Sequence, residues 1–294
     1  MNQSSPYSQT YIIEPEKSNR VPIPLTAWLL FGLTVVSTVL AGALQQRVDL
    51  TENPSHIIYG IPFSFTLLLI LGVHEFGHWI MCKLHNVPAT VPYFIPMPNL
   101  LGTMGAFIRI KGAIPTRRAL LDIGMAGPIA GFIIALPATV IGLLLSTPTP
   151  VFQPEGMQMG TSILTLLLVT LIFPSLPDGF TIILHPIGFA GIIGLLITSL
   201  NLLPIGQLDG GHIASALFGR RQWNIARVFL FLLAPLGLLW EGWWFWLALL
   251  LLMGFRHPVI QDDARSLGSI RRKLAWFTIA VFLLTFVPMP FMSL

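Results

Sequence analysis

The chain has 294 residues, 54% of them hydrophobic and only 10% charged, with a net charge of +4 and a mean hydropathy of +0.78. That balance excludes an ordinary water-soluble domain and points to a polytopic protein of the lipid bilayer, whose modest positive charge calls for no nucleic-acid partner. A single cysteine, Cys82, excludes an internal disulfide framework and a cysteine-rich metal site.

Residues 1–24 are polar and lack the apolar core of a signal peptide, so they read as a disordered cytoplasmic tail, and Leu25 to Leu44 as a true first span. Further apolar runs lie at 57–82, 120–146, 187–205, 224–239, 241–255 and 274–292, with a shorter one at 161–173. If 161–173 is a half-depth or surface helix and the other seven runs cross, every Lys and Arg except Arg47 falls on one side. If it crosses, the basic residues from Arg220 to Lys273 move outside, against the rule that short cytoplasmic loops carry the cations. The expected fold is therefore all-α, a polytopic membrane protein of about seven transmembrane helices with the amino terminus cytoplasmic and the carboxyl terminus external. It forms one integral domain over 25–294, with a core at about 57–219 and additional helices over 224–292.

The second run contains His74-Glu75-Phe76-Gly77-His78. Four residues advance a helix by about 400°, which sets both imidazoles on one face, spaced to reach one tetrahedral Zn²⁺. Glu75 points beside that face, where a carboxylate can take the proton of a water acidified by the metal. Three ionisable groups in hydrocarbon each cost about 2.5 to 3.5 kcal/mol on insertion scales, so their presence calls for a function.

Between the second and third spans, Leu101 to Gly112 carries a short alternation, Ile108 and Ile110 on one face and Arg109 and Lys111 on the other, flanked by glycines. This is strand periodicity, and it predicts a short re-entrant or membrane-surface β element. An exposed strand edge there would hold a peptide extended by β-augmentation. In the third span Gly124, Ala126, Gly127, Ala130 and Gly131 form a small face suited to close packing against the motif helix.

The span from Pro186 to Leu203 runs parallel to the motif span and ends in Asn201-Leu202-Leu203-Pro204-Ile205-Gly206-Gln207-Leu208-Asp209-Gly210-Gly211-His212. A catalytic zinc takes three protein ligands, so the His pair needs one more. Asp209 is the best candidate, with His212 open as a ligand or supporting partner. Counting 1.5 Å per residue puts His74 about 13 Å inside Lys83 and Asp209 about 16 Å inside Arg220, comparable depths. His56, His85, His185 and His257 sit at span ends without assigned chemistry, and Trp240, Trp243, Trp244 and Trp246 read as an interfacial aromatic belt.

The HExxH motif paired with NxxPxxxLDGG in a later parallel span resembles the site-2 protease family of intramembrane zinc metalloproteases, over roughly Ile61 to Gly219. The stretch from Asn99 to Gly112 and the Gly-rich span after it resemble the cyanobacterial and chloroplast-type branch, and no loop is long enough for a PDZ domain. The resemblance implies that His74, His78 and Asp209 bind one zinc per chain, that Glu75 activates water, and that Asn201 helps hold the substrate or the developing oxyanion. It also implies a membrane-associated β element near residue 108.

The function expected is a zinc endopeptidase that cuts transmembrane segments of other membrane proteins, as in regulated intramembrane proteolysis. The active site would face the cytoplasm of a bacterial plasma membrane or a thylakoid-type membrane. Alternatives are a transporter or metal-binding membrane protein, a catalytically inactive scaffold of the same fold, and another HExxH protease with a downstream Glu ligand. For the last, only Glu155 and Glu241 follow the motif, both placed externally. Substrate identity, gating, regulation and oligomeric state are not encoded legibly.

Overall fold

The computed structural model describes residues 23–150, 157–253, 260–262 and 266–293; the expectations for the tail before residue 23 and for Glu155, Arg256, His257 and Arg265 lie outside them. In chain order the elements are α1 (Leu25–Gln45), a 3-10 turn (Pro54–Gly60) leading into α2 (Ile61–Leu84), β1 (Tyr93–Pro96), β2 (Thr103–Phe107), β3 (Ile114–Thr116) and α3 (Arg117–Leu144). There follow β4 (Thr147–Pro150), β5 (Met157–Met159), α4 (Ile163–Ile172), β6 (Phe180–Ile183), α5 (Pro186–Asn201) and α6 (Asp209–Phe218). The chain ends with α7 (Gln222–Leu236), α8 (Gly242–Met253), β7 (Ile260–Asp262), α9 (Ser269–Thr285) and β8 (Phe291–Ser293).

Among the described residues, α1, the stretch Pro54–Leu84 and α3 are long and apolar enough to cross a membrane, whereas α4, α5 and α8 are shorter apolar helices. The 274–292 run is not one helix. α9 stops at Thr285, because Pro288 and Pro290 cannot donate to a helical ladder and disfavour helical backbone before them. α4 has 10 residues, about 15 Å of helix, and the strands on either side of it, β4 and β6, pair with each other. The segment that contains α4 therefore starts and finishes beside one strand pair. β5 pairs with β8 and β3 pairs in parallel with β7, joining the loops around α3 to those around α9.

α3 is the central helix. It runs antiparallel to α2, since His78 faces Gly127 while His74 faces Gly131, and antiparallel to α5, since Gly142 meets Gly188 while Ala135 meets Gly194. α2 and α5 are parallel, as expected: Phe63 stacks near Phe189, Ile70 packs on Gly194, and His74 reaches Asn201. Glycine sets these distances. A Cβ on Gly142 would lie 2.0 Å from the Gly188 Cα, and one on Gly191 would lie 2.5 Å from the Thr139 nitrogen.

The expected β element is a hairpin that begins earlier than the Ile108–Lys111 alternation: Tyr93 pairs with Phe107 and Ile95 with Gly105, and an isolated bridge joins Ala89 to Ile110. Ile108 and Ile110 pack on Cys82, Val87 and Ile123, while Arg109 and Lys111 are exposed, the alternation read from sequence. The hairpin extends along α1. Phe94 meets Phe31 edge-on at 5.1 Å, the Ser37 hydroxyl donates to the Gly102 carbonyl at 2.6 Å, and the Gln45 amide donates to the Leu100 carbonyl at 2.8 Å.

One expected interfacial residue is core. Trp243 is fully buried, its indole N–H donates to the Pro288 carbonyl at 2.6 Å, and it packs on Trp240 and Phe286. The turn after α9 supplies that acceptor, and a buried indole needs one. Trp244 remains exposed, as a belt residue would be.

Replacing Gly142 by Val should drive α3 and α5 apart and lower stability by about 3 kcal/mol, the upper range for overpacking. Gly32→Ala, where no atom stands within 4 Å of a new Cβ, should instead raise stability by about 0.5 to 1 kcal/mol. Thermal unfolding of both variants in detergent checks the pair.

Candidate metal centre

His74 and His78 lie one turn apart on the buried face of α2. His78 Nδ1 stands 2.7 Å from the Ile123 carbonyl of α3. A carbonyl only accepts, so Nδ1 carries the proton and the Nε2 lone pair faces the opposite way. In that direction His78 Nε2 is 3.2 Å from His74 Nε2 and 3.2 Å from Asp209 Oδ2, and His74 Nε2 is 3.3 Å from the same oxygen.

These three atoms form a nearly equilateral triangle of electron-rich donors. Ligands held about 2.0 Å from a tetrahedral zinc stand about 3.3 Å apart, so the triangle has the dimensions of one face of that tetrahedron. Two imidazoles and a carboxylate are also a donor set that zinc accepts. The residues fit a zinc ion. Among the described residues, His74, His78 and Asp209 are the group of three whose ligand atoms converge in this way.

The tertiary structure shapes the centre from α3. A Cβ on Gly127 would lie 2.0 Å from His78 Nε2, and one on Gly131 would lie 3.0 Å from His74 Nδ1. Gly77, inside the motif itself, faces the Ala126 carbonyl, 2.6 Å from where its Cβ would stand. The small face read from sequence thus packs against the motif helix, and its glycines are the space the imidazoles occupy.

Asp209 reaches the centre across a break between two helices. The break lies over Leu202–Leu208, with Gly206 at φ 54, and Asp209 is the first residue of α6. Gly210 and Gly211 are helical. Their role is close approach, since a Cβ at each would stand 2.0 Å from the Leu202 carbonyl and 2.3 Å from the Gly206 carbonyl. His212, a turn further along α6 and buried against Gly124, is not among the three converging donors.

Asn201, the last residue of α5, brings its amide nitrogen 3.4 Å from His74 Nε2. Glu75 is buried beside the histidines, one residue along α2 from His74. All five site residues read from sequence therefore come together. Sequence reasoning missed the Ile123 carbonyl, which no motif encodes. It also missed the pairing of His85 with Asp122 at 2.9 Å, because 37 residues separate the two.

The model of Peptidase family M50 matches residues 62–234, more than half of the chain. The chain belongs to Peptidase family M50. The M50 chain is 28% identical over 304 residues to "Probable zinc metalloprotease EGY1, chloroplastic" of Arabidopsis thaliana, an alignment covering 91% of this chain and 54% of the relative. It is 32% identical over 203 residues to "Probable zinc metalloprotease EGY2, chloroplastic" of the same plant, covering 65% and 35%. The EGY1 relative of Oryza sativa subsp. japonica is 29% identical over 301 residues, covering 91% and 52%. The M50 chain thus spans about half or less of the length of these relatives. The family read from the two paired motifs is the family found, and zinc is the metal named for its relatives.

Purified protein should carry about one zinc per chain, and His74→Ala or Asp209→Ala should each abolish or strongly weaken that binding. Gly127→Ala, which introduces one methyl group against His78 Nε2, should do the same without removing a ligand. Elemental analysis in detergent at buffered free zinc measures all four proteins. Retention of zinc by Asp209→Ala would remove the carboxylate from the ligand set.

Proposed function

We propose that the protein is an intramembrane zinc endopeptidase that hydrolyses peptide bonds in or near transmembrane segments of other membrane proteins. The observation that carries this reading is the convergence of His74, His78 and Asp209 with Glu75 buried beside them, within apolar helices of an M50 chain. A transporter has no evident use for a carboxylate set between two histidines at this spacing. An inactive scaffold would have no need to keep the complete set.

In this reading His74, His78 and Asp209 hold the zinc ion, and zinc, when bound, supplies Lewis acidity that acidifies water and polarises the scissile carbonyl. Glu75 takes the proton of the attacking water and returns it to the leaving amine. Asn201, with its amide donor 3.4 Å from His74 Nε2, sits where it can steady the substrate carbonyl as negative charge develops on oxygen. Among the described residues β2 is paired on one side only and packs toward α2, so a substrate chain added along its other edge would lie extended near the base. Extension matters because a helical carbonyl is already hydrogen-bonded and covered.

A groove of about 480 Å³ between α1, α2 and β1, lined by Trp28, Phe31, Leu69, Phe76, Trp79 and Phe94, supports lateral entry of an apolar segment. On α2, Glu75 lies between the groove face, which includes Phe76, and the face that carries the histidines. A helix seated in the groove would have the base at its flank.

The topology proposed is seven crossings with α4 held at half depth. The pairing of β4 with β6 around α4 supports it, as does the clustering of Lys83, Arg117 and Arg118 at the end of the molecule opposite that pair. The hairpin is then re-entrant, entering beside α1, and the core and the carboxyl-terminal helices form one integral domain. The active site faces the cytoplasmic side of a bacterial plasma membrane; the word "chloroplastic" in the relatives' names supports a thylakoid-type membrane as the alternative.

Glu75→Gln should keep its zinc while cleavage falls by about 10²-fold or more, the usual contribution of a positioned general base. Tagged single-span membrane proteins co-expressed with wild type or E75Q, followed by immunoblotting for the shortened product, give the readout. Equal cleavage by the two proteins would sink the assignment.

A further inference from the structure

Outside the metal centre, a polar cluster joins three helices at one end of the molecule. Asp122 of α3 accepts from Arg271 of α9 through both carboxylate oxygens: Nε lies 2.8 Å from Oδ1 and 2.9 Å from Oδ2, and a terminal guanidinium nitrogen lies 2.8 Å from Oδ2. The same Oδ2 accepts from His85 Nε2, at the carboxyl-terminal cap of α2, at 2.9 Å. The carboxylate is only 13% exposed, whereas Arg271 is 36% exposed. A forked guanidinium on a carboxylate fixes orientation as well as charge.

Asp122 immediately precedes Ile123, whose carbonyl accepts the His78 Nδ1 proton. The two neighbours on one helix move as a unit. Four residues beyond Gly124, Pro128 has no N–H to give to the Gly124 carbonyl, so the α3 ladder is one bond short beside this pair. Anchors from other helices therefore carry more of the burden of holding the Ile123 carbonyl still. Further contacts of the same kind flank the cluster: Arg118 donates to the Ser266 carbonyl at 2.6 Å, just before α9.

We propose that Asp122, held by Arg271 and His85, is a positioning residue for the metal centre: the ionic clamp fixes α3 so that the Ile123 carbonyl sets the tautomer and direction of His78. This rests on the metal-binding reading above. Its particular consequence is that α9, which lies beyond the residues matched to the family, governs how tightly the metal is held. Partners of a metal-bound imidazole's second nitrogen tune metal affinity by about 10- to 100-fold, and here the partner is itself positioned from α9.

The test is zinc affinity by competition with a chelator, together with the visible spectrum of the cobalt-substituted protein, for full-length wild type, Asp122→Asn, Arg271→Met and the double variant. Arg271→Met alters a partly exposed side chain and keeps most of its volume, so it remains informative should Asp122→Asn fold poorly. Each single variant should lose affinity by about tenfold or more and shift the cobalt bands, and the double variant should lose no more than the worse single one, because the two act as one unit. Val281→Ala, which loosens the buried packing of α9 without touching the clamp, should stay within about twofold of wild type, and Arg271→Lys should recover part of the loss by restoring the charge. Wild-type affinity and spectrum in Arg271→Met would overturn the proposal, as would a loss in Val281→Ala as large as in the clamp variants. A wild-type protein that binds no zinc would instead overturn the metal reading on which the proposal stands.

Discussion

The approach of α3 to within backbone contact of its neighbours is the constraint on which the rest of the structure depends. Helices in an apolar surrounding gain no hydrophobic drive from meeting each other and are held by close packing and polar contacts. Glycines at 124, 127 and 131 on one side and at 142, 188, 191 and 194 on the other allow that approach. The same closeness brings α2 and α6 onto one face of α3, and so draws two imidazoles and a carboxylate from segments 131 or more residues apart (209 against 78) into a triangle 3.2 to 3.3 Å on a side. Three facing lone pairs repel one another and are poorly solvated there. A bound cation relieves both costs at once, so the packing that stabilises the fold also creates a preference for a metal.

Polar backbone imposes the second constraint. In the proposed re-entrant placement, a hairpin running beside α1 from Phe31 to Gln45 has peptide groups at depths where only protein, water or another chain satisfies them. β1 and β2 satisfy each other, and Ser37 and Gln45 satisfy the turn. Among the described residues β2 is paired on one side only, and in the proposed function its other edge is the side of the ribbon turned to the chemistry. An edge of this kind is a hazard on an ordinary surface and a docking line for an extended peptide beside a base.

The carboxyl-terminal helices complete the arrangement. β3 with β7, Arg118 with the Ser266 carbonyl, and Arg271 with Asp122 fasten the start of α9 to the start of α3, while β5 with β8 fastens the other end. α9 is thereby held along its length against the helix that shapes the metal centre. Trp243, buried and donating to Pro288, ties α8 into the same unit, which explains why it is not an interfacial residue.

The sequence by itself determined whatever is periodic or local: apolar runs long enough for spans, two histidines one helical turn apart with a glutamate between, a face of small residues, and an alternation over Ile108 to Lys111. Each depends on neighbours along the chain, so each is visible in the order of residues. Asp209 was legible because a three-ligand metal leaves a vacancy that an intramembrane carboxylate fills, although its place at the start of a helix was not. Only the tertiary structure decided the remainder: that β4 pairs with β6 around α4, that the hairpin of β1 and β2 lies along α1, and that Asp122 gathers His85 and Arg271. Those outcomes depend on contacts between residues 30 to 149 positions apart and on backbone carbonyls, which carry no sequence signature of their own.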